Sequence, residues 1–161
     1  MDNFQVKRIL RNLLIFCVGF TMYQCMEGVW KNIPTLPECF YGAESFTMGL
    51  LGGLSILTIG SLNEKLPWSM PIWLQAIIGC IVITTFEFIV GCALNLWLCP
   101  LLNKPIIWSY ESLPGNFIGQ ICPQFSFLWF LLSFVAIFVD DFLRWKVFDD
   151  EKPHYTFWWK K

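Results

Sequence analysis

No charged residue interrupts residues 120–139, and the run then stops at Asp140, Asp141 and Arg144. A helix of about 20 apolar residues, range roughly 17–25, crosses the hydrocarbon core of a bilayer. A run of this length and purity therefore constrains the fold more than any other feature of the chain. Composition points the same way. Of the 161 residues, 56% are hydrophobic and only 14% charged, with a mean hydropathy of +0.55. An average soluble domain carries about 25% charged residues. At this length the surface fraction is too large to hide so much apolar area from water. Lipid must cover much of it.

Four apolar spans follow from this reading: residues 13–30, 46–62, 72–94 and 117–143, with a tail over 144–161. Each must be helical, because lipid cannot satisfy an open backbone. The fold class expected is all-α, an integral membrane helical bundle of about four transmembrane helices in one domain. The fourth span is expected to begin as an interfacial turn around Pro123. The first apolar run follows a basic start, but no small-x-small site follows it, which argues against a cleavable signal peptide.

Orientation comes from the basic residues. Lys7, Arg8, Arg11, Lys65, Arg144, Lys146, Lys152, Lys160 and Lys161 fall on one predicted side; Lys31 and Lys104 fall on the other. The positive-inside rule then places both termini in the cytoplasm. Trp30, Trp68, Trp73, Trp97, Trp108 and Trp145 lie near span ends, as an aromatic belt requires. The tail is charged and aromatic. Its Trp158-Trp159-Lys160-Lys161 end either touches the membrane surface or belongs to a plain frayed terminus.

A net charge of −1 implies no nucleic-acid partner. The seven cysteines are odd in number and contain no CxxC. Most sit in or beside apolar runs, where Cys behaves as a small hydrophobe. Cys39 and Cys99 fall in loops on the same predicted side and are a candidate pair. No zinc pattern, Walker A loop, HExxH, GxSxG or Ser-x-x-Lys appears, so neither a metal, a cofactor nor catalysis is expected.

Glu87 is the sharpest candidate. It lies inside the third span, about 22 Å along the helix from Ile72 at 1.5 Å per residue. A carboxylate at that depth by default marks a functional site, and the competing role is a hydrogen bond that glues helices together. Gly91 and Asn95 follow on the same helical face, Gly91 allowing another helix to approach. Asn116, Gln120 and Gln124 share one face if residues 116–124 are helical. Glu27 ends the first span. On this topology Glu27, Glu87, Asn95, Asn116 and Gln120 all map to the outer half of the bilayer and are candidates for binding a substrate or ion. Gly49 and Gly53 form a GxxxG suited to close helix packing. Asp140, Asp141 and Arg144 read as a stop-transfer cap or as a docking point for a cytoplasmic partner.

The segments TTFEFIVGCALN, IWSYESLPGNFIGQICPQFSFLWFLLS, DDFLRW and EKPHY resemble a bacterial family of ABC transporter permeases, type IV (CmpB-like). The family pattern has an acid in the third span followed by Gly and Asn, then a Trp-x-Tyr segment leading to Pro-x-Asn-x-x-Gly-Gln-Ile-Cys. Glu87, Gly91, Asn95, Trp108, Tyr110, Pro114, Asn116, Gly119, Gln120, Ile121 and Cys122 fall on it. Ser109 and Glu111 stand where the family often has Asp and Ser. The resemblance implies a multi-pass transport component of a bacterial plasma membrane, without its own ATPase, that joins an ATPase subunit or forms a homo-oligomer. Two rival readings stay beside it. One is a non-transport regulator, sensor or assembly protein acting through its outer loop or tail. The other is an intramembrane enzyme using Glu87 with Glu27.

Overall fold

A computed structural model describes residues 3–30 and 42–159. The proposed Cys39–Cys99 pair, and Lys31, Lys160 and Lys161, involve residues outside that set. The elements are α1 (Asn3–Trp30), α2 (Ala43–Asn63), α3 (Ile72–Gly91), a π-helix (Cys92–Leu98), α4 (Cys99–Leu101) and α5 (Pro123–Phe148). Four stretches are long and apolar enough to cross a membrane: Phe4–Val29, Ser45–Leu62, Ile72–Leu101 and Pro123–Phe148. The all-helical bundle of four spans is as expected. Among the described residues the only β feature is an isolated bridge between Phe117 and Ile121.

Four boundaries differ from the hydrophobic pattern. Helix α1 starts well before residue 13, because Lys7, Arg8 and Arg11 are good helix formers and apolarity marks the lipid-crossing part of a helix, not its end. The third span runs on through the π-helix to Leu101. The fourth helix starts at Pro123, not at residue 117, and ends at Phe148. Proline suits a first helical position because its missing N–H would be unpaired there anyway. Residues 117–122 remain in the preceding loop.

Helices α1 and α2 pack antiparallel through small residues. A Cβ on Gly49 would meet the Phe20 ring at 2.8 Å, and one on Gly53 would meet the Phe16 ring at 2.6 Å. One on Gly52 would strike Tyr23. In lipid there is little hydrophobic gain in bringing helices together, so close approach and dispersion must hold the pair. Gln24 adds a polar tie, donating to the Ser45 carbonyl at 3.2 Å and its hydroxyl at 3.1 Å.

Helices α3 and α5 also run antiparallel, with Gly79 against Ser133. Their apolar stripes face outward: Ile77, Ile81 and Ile89 on α3, and Phe127, Leu131, Val135, Phe138 and Phe142 on α5 are exposed. The faces between them carry Ile83, Trp129 and Ile137 together with Glu87, Ser133 and Asp140. This apolar-out, polar-in arrangement is the reverse of a soluble bundle and is what lipid demands.

As far as Trp159 the tail is not frayed. The Thr156 carbonyl accepts the Ile72 N–H at 2.9 Å, satisfying one of the orphan donors at the start of α3. Trp73 Nε1 donates to the Phe157 carbonyl at 3.1 Å, and the Tyr155 ring meets Phe138 edge-on at 4.9 Å. Asp149, in a left-handed conformation with φ 55°, turns the chain back toward the bundle. Trp158 and Trp159 stay exposed at its end.

Candidate functional site

The bundle has two polar centres, one at each end. The first is built on Glu87, which is 5% exposed. Its Oε1 accepts the Tyr110 hydroxyl at 2.8 Å and its Oε2 accepts Trp129 Nε1 at 2.8 Å. The indole N–H can only donate. Trp129 comes from the second turn of α5 and Tyr110 from the loop between α4 and α5, so one carboxylate ties helix, helix and loop together. Burial, and after it the Glu87 charge, push the Tyr110 phenol far above the ordinary tyrosine range. Tyr110 therefore remains a hydrogen-bond donor. Tyr23 of α1 stacks on Trp129, with ring centroids 5.5 Å apart and planes within 6°. Phe125 stacks on Tyr110 at 4.5 Å.

These rings wall a cavity of about 410 Å³ between α1, α5 and the loop, also lined by Glu27, Met48, Trp108, Ser109 and Ser112. Glu87 lies behind Tyr110 and Trp129 rather than on the cavity surface.

Asn95 and Gln120 hold the loop in place. Asn95 is 1% exposed, in the π-helix. Its Nδ2 donates to the Trp108 carbonyl and to Gln120 Oε1, both at 2.9 Å, and its Oδ1 accepts the Ile107 N–H at 2.8 Å. Every donor and acceptor role of that amide is filled except one lone pair. π-turns often occur at functional positions, and here the wide turn carries the residue that seats the loop. A Cβ at Gly91 would meet Gln120 Oε1 at 2.7 Å and Trp108 Cζ2 at 3.1 Å. Gly91 thus admits the loop, where the sequence suggested another helix.

Asn116 does not share a helical face with Gln120 and Gln124. It donates to the Leu113 carbonyl at 2.8 Å and accepts the Gly119 N–H at 3.0 Å. Positive φ at Gly115 (74°), Ile118 (45°) and Gly119 (72°) reverses the chain there, so no helix runs through it. Tyr110 N–H donates to the Gly119 carbonyl at 2.8 Å and closes the loop on itself. Asn116 thus shapes the lid, while Glu27 lines the cavity directly. Gly49 and Gly53 lie at the α1–α2 contact, away from both centres.

The second centre lies at the end that carries the termini. Asp140, Asp141 and Arg144 are 0%, 3% and 6% exposed. They face into the bundle, not out toward a partner, because α5 continues past them to Phe148 and the tail folds over them. Arg144 Nε donates to Asp140 Oδ2 at 2.5 Å, and its guanidinium stands 3.7 Å from Glu64, the residue that caps the end of α2. Gly60 leaves the room that Asp140 occupies. Tyr155 of the tail donates to Asp141 Oδ2 at 2.8 Å, and Arg11 of α1 donates to Asp150 at 2.6 Å.

Tyr23 and Trp129 are site residues that sequence reasoning passed over, and Tyr110 was named there only as a position of the family motif. Trp129 had a signal. By the hydrophobic pattern it lies in mid-span where the other flagged tryptophans lie at span ends, and an indole N–H at that depth needs a partner. The nearest buried carboxylate supplies one.

A family model described as "Putative ABC-transporter type IV" matches residues 14–150. No curated protein and no solved structure matches the chain.

Proposed function

Starting from the premise that this chain belongs to the putative ABC-transporter type IV family, we propose that it is the membrane-embedded component of a transport system, with its ligand site in the cavity beside Glu87. The observation that carries this reading is the buried Glu87 carboxylate, held by Tyr110 and Trp129 against a cavity of about 410 Å³. Buried membrane acids are expensive and tend to mark substrate or ion paths. The chain performs no chemistry of its own and draws its energy from a separate ATPase subunit. Both termini lie in the cytoplasm of a bacterial cell, which puts the cavity in the outer half of the plasma membrane.

The test is purification of a tagged copy from its native membrane in mild detergent, followed by identification of stoichiometric partners. A co-purifying ATPase is the expected result. A homo-oligomer without one removes the coupled-transport reading. Glu87→Gln is expected to abolish transport while leaving folded protein. Normal transport by that variant removes Glu87 from the site.

A second reading is favoured by one observation. Phe117 and Ile118 stand 58% and 52% exposed at the tip of an otherwise hydrogen-bonded loop. Such a tip suits contact with a partner protein at the membrane surface, as a regulator or assembly factor would make. Replacing both with Ser should then release the partner and leave Glu87 function intact.

A further inference from the structure

The tip of the loop lies at membrane depth. The Phe117 ring packs on Phe88, with centroids 5.5 Å apart. Phe88 belongs to α3, inside the apolar stretch Ile72–Leu101. Its neighbour Ile89 is one of the apolar side chains that α3 turns outward. Further along the same stretch, Leu96 and Trp97 are exposed apolar side chains as well. The outward-facing apolar surface therefore reaches about two helical turns, on the order of 10 Å, beyond the level of the Phe117 contact.

The tip also meets the condition that lipid sets for an irregular backbone. A segment against hydrocarbon must pair its polar groups within the protein. Phe117 N–H donates to the Ile121 carbonyl at 2.8 Å, and Gln120 N–H donates to the Phe117 carbonyl at 3.1 Å. Gln120 Nε2 donates to the Ile118 carbonyl at 3.3 Å. The Gly119 carbonyl accepts the Tyr110 N–H, and the Gln120 carbonyl accepts Trp108 Nε1. Every carbonyl from Phe117 to Gln120 thus has a donor inside the protein. A tip bathed in water needs no such pairing, because water supplies the donors.

Ile118 is the unusual choice. A φ of 45° suits glycine or asparagine and is rare for a β-branched residue. Such a conformation persists only where the surroundings hold it. At a water-facing turn either of those two residues would serve better. The Ile118 side chain is exposed, so what it gains must come from an apolar medium outside the fold.

We propose that Phe117 and Ile118 form a lipid-inserted tip. The loop re-enters the membrane at the end opposite the described tail, and the two side chains extend the lipid-facing stripe of α3 among acyl chains. Depth and internal pairing favour lipid over a partner protein at the water surface. The inference does not depend on the transport reading.

The experiment places the photoreactive residue benzoylphenylalanine at Phe117, and in a separate chain at Ile118, in the full protein in its native membrane. Irradiation is followed by purification and mass spectrometry. Benzophenone takes hydrogen from a neighbouring C–H bond and joins to that carbon, so it marks an acyl chain and leaves no adduct with water. The same probe at Ile81, exposed on the α3 stripe, gives the yield of a lipid contact, and at Glu151, exposed in the tail, that of a site outside lipid. Lipid adducts at both tip positions are expected, within about twofold of the Ile81 yield and about tenfold above that at Glu151. An adduct with a second polypeptide overturns lipid insertion and assigns the tip to a partner protein. Yields at the Glu151 level place the tip in water and overturn it as well. Thermal melting checks that each chain is folded. Should loss of the Phe117–Phe88 contact unfold the first chain, the exposed Ile118 position decides alone.

Discussion

Tyr110 and Glu87, separated by 23 positions, meet at 2.8 Å across the boundary between a loop and a membrane-spanning helix. The bond makes the loop part of the bundle. It also sets the first prediction. Leaving one partner of a buried hydrogen bond unsatisfied costs about 1–3 kcal/mol. Tyr110→Phe should therefore lower stability by that order, seen as a lower melting temperature in detergent. In a double-mutant cycle with Glu87→Gln the two losses should be less than additive. Additive losses would mean that the two groups are not coupled.

Asn95 governs loop attachment. Asn95→Leu fills the same space but removes three hydrogen bonds, to Ile107, Trp108 and Gln120. Buried partners left unpaired lose about 1–3 kcal/mol each. Limited proteolysis should then cut within residues 103–122 while the helices remain protected. A loop as resistant as wild type would assign its attachment to Glu87 and Tyr110 instead.

Gly60 is predicted to be intolerant of any side chain. A Cβ there would strike the Asp140 carboxylate, which is fully buried and bound to Arg144. Overpacking of this kind typically destabilises by about 1–3 kcal/mol. Gly60→Ala should lower the melting temperature, and unchanged melting would show that Asp140 has another position to take.

Tail docking should depend on pH in one direction. Burial, followed by the hydrogen bond to Asp141, raises the Tyr155 phenol above its ordinary value, which is about 10. A group whose folded value is raised contributes fully below its unfolded value and loses that contribution as pH rises above it. The stability difference between wild type and Tyr155→Phe should therefore be flat through neutral pH and shrink above about pH 10. A difference that instead changed between pH 5 and 8 would point to the Asp141 carboxyl as the titrating partner.

Much of this architecture was legible in the sequence. The four spans and the depth of Glu87 were readable because a bilayer imposes one length and one polarity on every helix that crosses it. What escaped depended on chain reversals. Asn116, Gln120 and Gln124 have helical spacing, yet positive φ at Gly115, Ile118 and Gly119 folds the first two into a lid. Asp140, Asp141 and Arg144 looked like a surface cap because charges usually end a span. They are buried because Glu64, at the end of α2, lies across from them and because Tyr155 returns from the tail. The tail reads as charged and aromatic, and its fixing rests on the Tyr155 hydroxyl and ring together with the Thr156 and Phe157 carbonyls, which carry no sequence signal. The family match over residues 14–150 agrees with the resemblance carried by the Glu87-to-Cys122 motif, and the structure gives several of those positions a physical role. Glu87 and Tyr110 bond each other, Asn95 seats the loop, and Gly91 and Gly119 make room for it.

The two ends of the bundle are unequally braced. At the end with the termini, Arg11 grips Asp150, Arg144 grips Asp140, and Thr156 is bonded to the head of α3. At the opposite end the Tyr23–Trp129 stack joins α1 to α5 beside the cavity of about 410 Å³, and the terminal end holds a cavity of its own, about 340 Å³. Ion pairs, which salt screens, brace the terminal end, whereas hydrogen bonds to Glu87 and Asn95 tie the loop end, so among the described residues the two ends answer differently to ionic strength.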